Sequence, residues 1–132
     1  MYVDGFVVPV PKKNVQAYRR LARKSGKVWL EYGALSFVEC AADDVKVGKW
    51  TSFPQSVKLK PNETVMFSWI TYKSRADRDR VNARVMKDPR ITMSEKDPPF
   101  DGKRMIFGGF KPIVEFKPRR RQRASPRRSS RP

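Results

Sequence analysis

Residues 64–72, TVMFSWITY, form the most strand-like stretch of this 132-residue chain, because β-branched and aromatic residues dominate them. Large apolar side chains occupy both alternating sets of positions, namely Met66, Phe67, Trp69, Ile70 and Tyr72. An antiparallel strand with one solvated face alternates apolar and polar residues instead. We therefore expect both faces of the sheet that contains this strand to be covered.

The same two-sided pattern occurs in residues 2–10, YVDGFVVPV, where prolines close to the end indicate that the strand stops. Further strands are predicted over residues 35–42, LSFVECAA, and residues 103–116, KRMIFGGFKPIVEF. A short extended piece is expected at residues 56–60. Four main strands result, and they are separated by two helical segments.

The first helix has a candidate N-cap at Asn14 and a candidate end at Gly33, where a glycine in the left-handed conformation often terminates a helix. Its core-facing residues recur at spacings of three and four, at Val15, Tyr18, Leu21, Ala22, Ser25, Val28, Trp29 and Tyr32. Ser74 and Asp77 form a capping-box pattern at the start of the second helix. Its buried side is expected at Val81 and Val85.

The resulting order is β-α-β-β-α-β, which predicts an α+β, ferredoxin-like fold with two helices on one face of a four-stranded antiparallel sheet. Two helices cover only one face of such a sheet. Because the strands are apolar on both faces, we expect a partner on the second face. A second copy of the chain is the simplest partner, since twofold homodimers are the commonest oligomers.

The composition changes abruptly after residue 116, so we divide the chain into a domain of residues 1–116 and a tail of residues 117–132. Eight of these last sixteen residues are lysine or arginine and none is acidic, and we expect the tail to be disordered. The tail arginines that would bind a polyanion without sequence specificity are Arg119, Arg120, Arg121, Arg127 and Arg128. A nucleic-acid arm and an inert, solvated extension both remain open.

The cysteine and histidine counts exclude several chemistries. The single cysteine, Cys40, excludes an internal disulfide, and the absence of histidine excludes histidine metal sites and His-dependent catalytic triads. We expect no metal and no cofactor. No signal-peptide pattern or membrane-spanning apolar run is visible, so we expect a cytoplasmic protein without a membrane partner.

Six segments of residues 1–116 resemble the small bacterial YbaA-like family of unknown function, in matching order and spacing. They are YVDGFVVPVP from Tyr2, GAL from Gly33, VEC from Val38, FSWI from Phe67, DPR from Asp88 and PFDGKRMIFGGF from Pro99. The resemblance implies the dimeric α/β-barrel superfamily, in which two ferredoxin-like sheets pack face to face. The tail departs from the family, whose members stop near the equivalent of Glu115.

The resemblance implies no established activity, cofactor or catalytic residue. Relatives in the wider superfamily include cofactor-independent monooxygenases, haem-degrading enzymes and chlorite-dismutase-like proteins, which is an analogy of fold only. Haem enzymes of this superfamily bind iron through histidine, which this chain lacks. The resemblance therefore argues against haem catalysis here.

Asp4 and Glu39 are the candidate site residues within the strands, because each carboxylate interrupts an apolar run. A buried charge needs a partner or a shifted pKa, and Arg104 is a candidate partner. One hypothesis is a carboxylate–arginine cluster that binds a small ligand inside the barrel, with Asp4 or Glu39 as a base. The alternative is a structural salt bridge that fixes strand register or the dimer.

Three other features have two interpretations each. Trp69 is either a stacking platform for a planar ligand or a core residue. The turn from Asp101 to Arg104 is either a ligand loop or an entry into the last strand. Gly108 and Gly109 either permit the close approach of a ligand or a neighbouring backbone, or they bend the strand, and we favour the bend. The charges of the second helix, Arg78 among them, form either a basic face that contacts phosphates or a solvated surface, and we favour the solvated surface.

Three functions follow from these observations. The first is a homodimeric protein that binds a small ligand in the barrel cavity. The second is a cofactor-independent monooxygenase-like enzyme that uses Asp4, Glu39 or Arg104. The third is non-specific association with RNA or DNA through the basic tail.

Overall fold

The computed structural model describes residues 1–93 and 96–119 of the chain. The secondary structure elements, in chain order, are β1 (Tyr2–Pro11), a 3-10 turn (Lys12–Asn14), α1 (Val15–Glu31), β2 (Ser36–Ala41), α2 (Phe53–Ser56), β3 (Glu63–Tyr72), α3 (Arg75–Val85), α4 (Pro89–Thr92) and β4 (Ile106–Phe110). The predicted tail residues Arg120, Arg121, Arg127 and Arg128 lie outside the described residues.

The four strands form one antiparallel sheet in the order β2-β3-β1-β4. Strands β1 and β3 lie in the centre and pair over ten residues, from Tyr2 opposite Tyr72 to Pro11 opposite Glu63. This order confirms the predicted ferredoxin-like, α+β fold.

The helix boundaries confirm most of the local predictions. Gly33 has a φ of +119° just after α1, and Ser74 accepts a hydrogen bond from the backbone N–H of Asp77 at the start of α3. Asn14 occupies the N-cap position of α1 as predicted, but its side chain forms no capping hydrogen bond. The preceding 3-10 turn already carries the chain into α1 without a side-chain cap.

Two segments that were predicted to be extended differ in the structure. The last strand covers only residues 106–110, because residues 101–104 form a turn and Pro112 cannot donate to the ladder. Residues 56–60 are not a strand. Instead, Ser52 caps the short helix α2, and its Oγ accepts a hydrogen bond from the backbone N–H of Gln55.

The helix side of the sheet carries two buried clusters. One joins α1 and α3 to the sheet through Val28, Ala34, Ile70, Tyr72, Val81 and Val85. The other lies nearer the start of α1 and contains Val8, Val10, Tyr18 and Met66. The first cluster holds both helices against the sheet, and the second holds the first half of α1 there.

The opposite side of the sheet, here called the open face, is apolar as the sequence predicts. At one end the chain itself covers this face, since Val7, Val57 and Val65 form a small buried cluster. Further along, Phe67 and Phe110 remain exposed. The chain therefore supplies part of the cover that we had assigned wholly to a partner.

Candidate functional site

A cavity of about 680 Å³ lies between the sheet and the helices. Most of its lining is apolar or aromatic and includes Phe6, Val8, Leu21, Trp29, Phe37, Ile70, Met86, Phe100 and Met105. The polar lining residues are few and come from both the sheet and the helices. They are Asp4, Tyr18, Ser25, Glu39, Ser68, Arg78 and Asn82.

Glu39 reaches the cavity from β2 and is held by hydroxyl donors. The Tyr18 hydroxyl of α1 donates to its Oε1 at 2.8 Å, and Ser68 of β3 also donates to the carboxylate. Burial raises the pKa of Glu39 above its usual range, although both hydrogen bonds oppose the rise. Burial and the nearby Glu39 carboxylate also raise the pKa of Tyr18, so Tyr18 remains a donor.

Asp4, on β1, is buried in a dense set of donors. Arg78 donates to it from Nε at 3.0 Å and Nη2 lies 3.0 Å from its Oδ1. The Tyr72 hydroxyl donates at 3.0 Å, and Asn82 Nδ2 lies 3.5 Å from Oδ2. A guanidinium and two further donors therefore compensate this buried carboxylate.

The Arg78 guanidinium is positioned from three sides. Besides its bonds to Asp4, it forms an ion pair with Asp79, in which Nη1 lies 2.8 Å from Oδ1. It also lies over the Tyr2 ring, with Cζ 5.1 Å from the ring centroid. Gly109 leaves room for this arrangement, because a Cβ there would overlap Arg78 and the Tyr2 ring. Gly109 thus permits close approach of side chains, which corrects our preference for a simple bend.

The two carboxylates differ in the charge that balances them. Asp4 has a full cationic partner and is only 5 % exposed. Within residues 1–93 and 96–119, no lysine or arginine forms an ion pair with Glu39. Asp4 therefore has the geometry of a structural pair, whereas Glu39 keeps capacity to accept a hydrogen bond or a proton from a bound molecule.

Arg104 lies away from the cavity and does not pair with Asp4 or Glu39, so that predicted partnership is wrong. Its guanidinium forms two hydrogen bonds with Glu63, at 2.8 and 2.6 Å, and one with Asp101 at 2.8 Å. It also donates to the carbonyl oxygens of Val57 and Lys58. Arg104 and Asp101 thus tie the turn before β4 to the start of β3.

Trp69 belongs mainly to the open face and borders the cavity from the sheet side. Its ring centroid lies 5.8 Å from that of Phe67, which shares its face. Of the five predicted ligand residues, Asp4, Glu39 and Trp69 line the cavity, whereas Asp101 and Arg104 do not.

The sequence interpretation missed Tyr18, Tyr72, Arg78 and Asn82 as site residues. For two of them the sequence contains a signal that could have identified them. Arg78 and Asn82 lie on the same helical stripe as Val81 and Val85, at spacings of three and four, and this stripe faces the sheet. The charge of Arg78 concealed the signal, since charged helix residues are usually solvated.

Two other kinds of site are absent from the described part of the chain. No group of three or more histidine, cysteine, aspartate or glutamate side chains there has an arrangement that holds a metal ion. No helix in residues 1–93 and 96–119 has the length and apolar character needed to cross a membrane.

Replacing Glu39 by glutamine is expected to stabilise the fold at pH 7.5, by about 1 kcal/mol, because it removes a carboxylate charge from an apolar surrounding. Folding raises the pKa of Glu39, so the folded chain binds more protons and its stability falls as pH rises through that pKa. The difference in unfolding free energy between Glu39→Gln and the wild type should therefore vanish near pH 4. Urea unfolding at both pH values measures it.

The control for this prediction is Glu115→Gln, since Glu115 is an exposed carboxylate outside the cavity. That substitution should leave the urea midpoint within about 0.5 kcal/mol of wild type at both pH values. A Glu39→Gln variant less stable than wild type at pH 7.5 would show that the carboxylate stabilises the fold.

A family model described as "Protein of unknown function (DUF1428)" matches residues 1–102. The chain belongs to this family. It is also 51% identical over 114 residues to the "Uncharacterized protein YbaA" of Escherichia coli strain K12, which covers 86% of this chain and 97% of that protein. The resemblance inferred from the sequence segments is thereby confirmed, and the relative contributes no described activity.

Two solved structures share the fold. Protein Atu4242 from Agrobacterium tumefaciens has a TM-score of 0.55 at 17% identity and covers 89% of this chain and 98% of that one. An uncharacterized NIPSNAP domain protein from Burkholderia xenovorans has a TM-score of 0.53 at 13% identity, and the match covers 90% of this chain and 100% of that one. At these identities the likeness shows the fold alone.

Proposed function

We propose that this protein binds a small, largely apolar organic molecule in the cavity between the sheet and the helices, with Glu39 as its polar anchor. The observation that carries the proposal is the state of Glu39. Its carboxylate lies in an apolar cavity, is held only by the hydroxyls of Tyr18 and Ser68, and forms no ion pair with a described residue. A donor or a cationic group on a ligand would complete its partners.

The size and lining of the cavity support this ligand class. A volume of about 680 Å³ falls within the range of roughly 300–1,000 Å³ found for small-molecule sites. Aromatic rings from both the sheet and α1, including Phe6, Trp29 and Phe37, favour a planar or aromatic molecule. The proposed site thus lies within one chain, on the helix side of its sheet, rather than between two sheets.

Proton transfer to Glu39 is the second candidate function. A general base works best with a pKa near the operating pH, and burial moves the pKa of Glu39 in that direction. Tyr18 fixes Oε1 of Glu39, at 2.8 Å, in a carboxylate that lines the cavity. In an enzyme of this kind, Glu39 would remove a proton from a bound molecule.

We also propose that the protein is a homodimer in which two open faces pack together. The support is the apolar surface that the chain leaves uncovered there, with Phe67, Ile106 and Phe110 all exposed. A groove of about 650 Å³ runs along this surface. Contiguous exposed apolar surface of this kind marks interaction sites in soluble proteins.

Native mass spectrometry of the purified full chain, followed by a thermal-shift screen of aromatic amines, phenols and neutral aromatics, tests the ligand proposal. We expect donor-bearing aromatics to raise the melting temperature. Glu39→Gln should weaken the best binder by at least about tenfold, whereas Glu115→Gln should not. If no compound binds, or if both variants bind as wild type does, the proposed anchor is wrong.

The same variants separate binding from proton transfer. If Glu39 is a base, Glu39→Gln loses turnover of the identified molecule, while Glu39→Asp keeps part of it with a pH profile that follows one carboxyl group. If Glu39 only anchors the ligand, no chemical change in the ligand is detected after prolonged incubation with wild type.

A further inference from the structure

The open face contains, towards its β4 edge, a pair of glycines that the fold of the single chain does not require. Gly5 of β1 lies directly opposite Gly108 of β4. Among the described glycines only Gly33 has a positive φ, and a Cβ at Gly5 or Gly108 would meet nothing closer than 3.8 Å, on the Phe110 ring. Glycine within a strand weakens it, and it often marks the close approach of another group.

The neighbours of this glycine pair turn it into a hollow. Strand pairing places Trp69 beside Gly5 in the same row, and side chains of the two flanking rows point the same way. These rows contribute Val3 and Phe110 on one side and Val7 and Ile106 on the other. We call this apolar depression, centred on Gly5 and Gly108, the glycine hollow.

Beyond β4 the chain carries an apolar segment that packs against little. Residues 111–116, KPIVEF, here called the C-terminal arm, form no strand. The side chains of Ile113, Val114 and Phe116 are 93%, 69% and 92% exposed. Three large apolar side chains in water indicate a segment that is covered by a partner.

We infer that the C-terminal arm of one chain docks across the glycine hollow of a second copy. This inference rests on the homodimer proposed above and names the segment that completes it. The hollow and the arm are both apolar, and the single chain leaves both uncovered. A twofold axis makes this contact reciprocal, so each chain fills the hollow of the other.

The dimensions allow this contact. An arm of six residues extends up to roughly 20 Å, whereas four strands at about 4.8 Å spacing span roughly 14 Å. The arm is therefore long enough to cross from the β4 edge over the hollow of a facing sheet. Bare backbone at Gly5 and Gly108 would let an Ile113 or Phe116 side chain seat deeply, as a knob enters a hole.

Sedimentation velocity of the full chain over a dilution series tests the inference. Gly5→Ala and Gly108→Ala partly fill the hollow without a clash inside the chain, and Ile113→Ser with Phe116→Ser removes the apolar groups of the arm. Each variant should raise the dimer dissociation constant by at least about tenfold. Combining Gly5→Ala with the arm variant should add little, because both changes remove one contact.

The matched controls are Gly102→Ala, at an exposed turn glycine, and Lys117→Ser, just beyond the arm. Both should dimerise as wild type does. If wild type is a dimer and the hollow and arm variants dimerise equally well, the homodimer stands and arm docking is wrong. If wild type is monomeric at about 100 µM, both the homodimer and the arm contact are overturned.

Discussion

Replacing Arg78 by methionine should lower the free energy of unfolding by about 3–5 kcal/mol, the largest effect expected for a single residue of the helix side. Asp4 is buried, and Arg78 donates to it at 3.0 Å from Nε. Methionine keeps much of the side-chain volume but leaves the carboxylate with Tyr72 and Asn82 as its donors among the described residues. Urea unfolding at pH 7 measures the change.

Arg80→Met is the matched control, on the same helix. Arg80 is exposed and pairs with Asp77 at the surface, so its loss should cost less than about 1 kcal/mol. A similar small loss for Arg78→Met would contradict a buried, compensated pair at Asp4. It would place Arg78 among the solvated charges, as the sequence interpretation first did.

Replacing Arg104 by methionine should also cost about 3–5 kcal/mol at pH 7, because Glu63 is 6% exposed and loses both of its guanidinium hydrogen bonds. The hydrogen bonds from Arg104 hold the pKa of Glu63 below its usual range in the wild type. Lys103→Met, at the exposed neighbouring position, should change stability by less than about 0.5 kcal/mol.

The sign of the pH dependence follows from the lowered pKa of Glu63. The folded wild type binds fewer protons at this group than the unfolded chain, so the stabilisation is present above the unfolded pKa, near 4.3, and is lost as pH falls. The gap between wild type and Arg104→Met should therefore be full at pH 7 and narrow below about pH 4. A gap that stays constant down to pH 3 would rule out the ionised Glu63 as its cause.

The strands and helices were predictable because their residue patterns differ. Short runs of β-branched and aromatic residues in β1 and β3, and apolar spacings of three and four in α1, leave little choice of element. The same reasoning found Asp4 and Glu39, since a carboxylate within an apolar strand is unexpected. These two residues indeed lie on the cavity side of the sheet.

The partners of these residues were less predictable, because they depend on how distant elements meet. Asp4 pairs with Arg78, which is 74 residues away, and Arg104 pairs with Glu63, 41 residues away. The register of β4 against β1 runs only from Ile106 to Phe110, so Arg104 lies beyond the paired stretch. No spacing in the sequence reveals where the strand stops or which carboxylate its preceding turn meets.

The sequence also did not reveal on which side of the sheet the cavity lies. Two apolar faces predicted a partner, and the resemblance to a dimeric barrel favoured a ligand between two sheets. The structure holds a cavity within one chain, and residues of the chain around Val57 cover part of the open face. Members of both helix-side clusters line this cavity, with Ile70 from one and Val8 and Tyr18 from the other.

A crystal structure of the full chain with the tightest compound from the thermal-shift screen tests the central claim most directly. We expect the molecule on the helix side of the sheet, among the rings of Phe6, Trp29 and Phe37, with a donor about 3 Å from a Glu39 oxygen. A molecule bound between two open faces, or one in the cavity that leaves Glu39 without a contact, would contradict it.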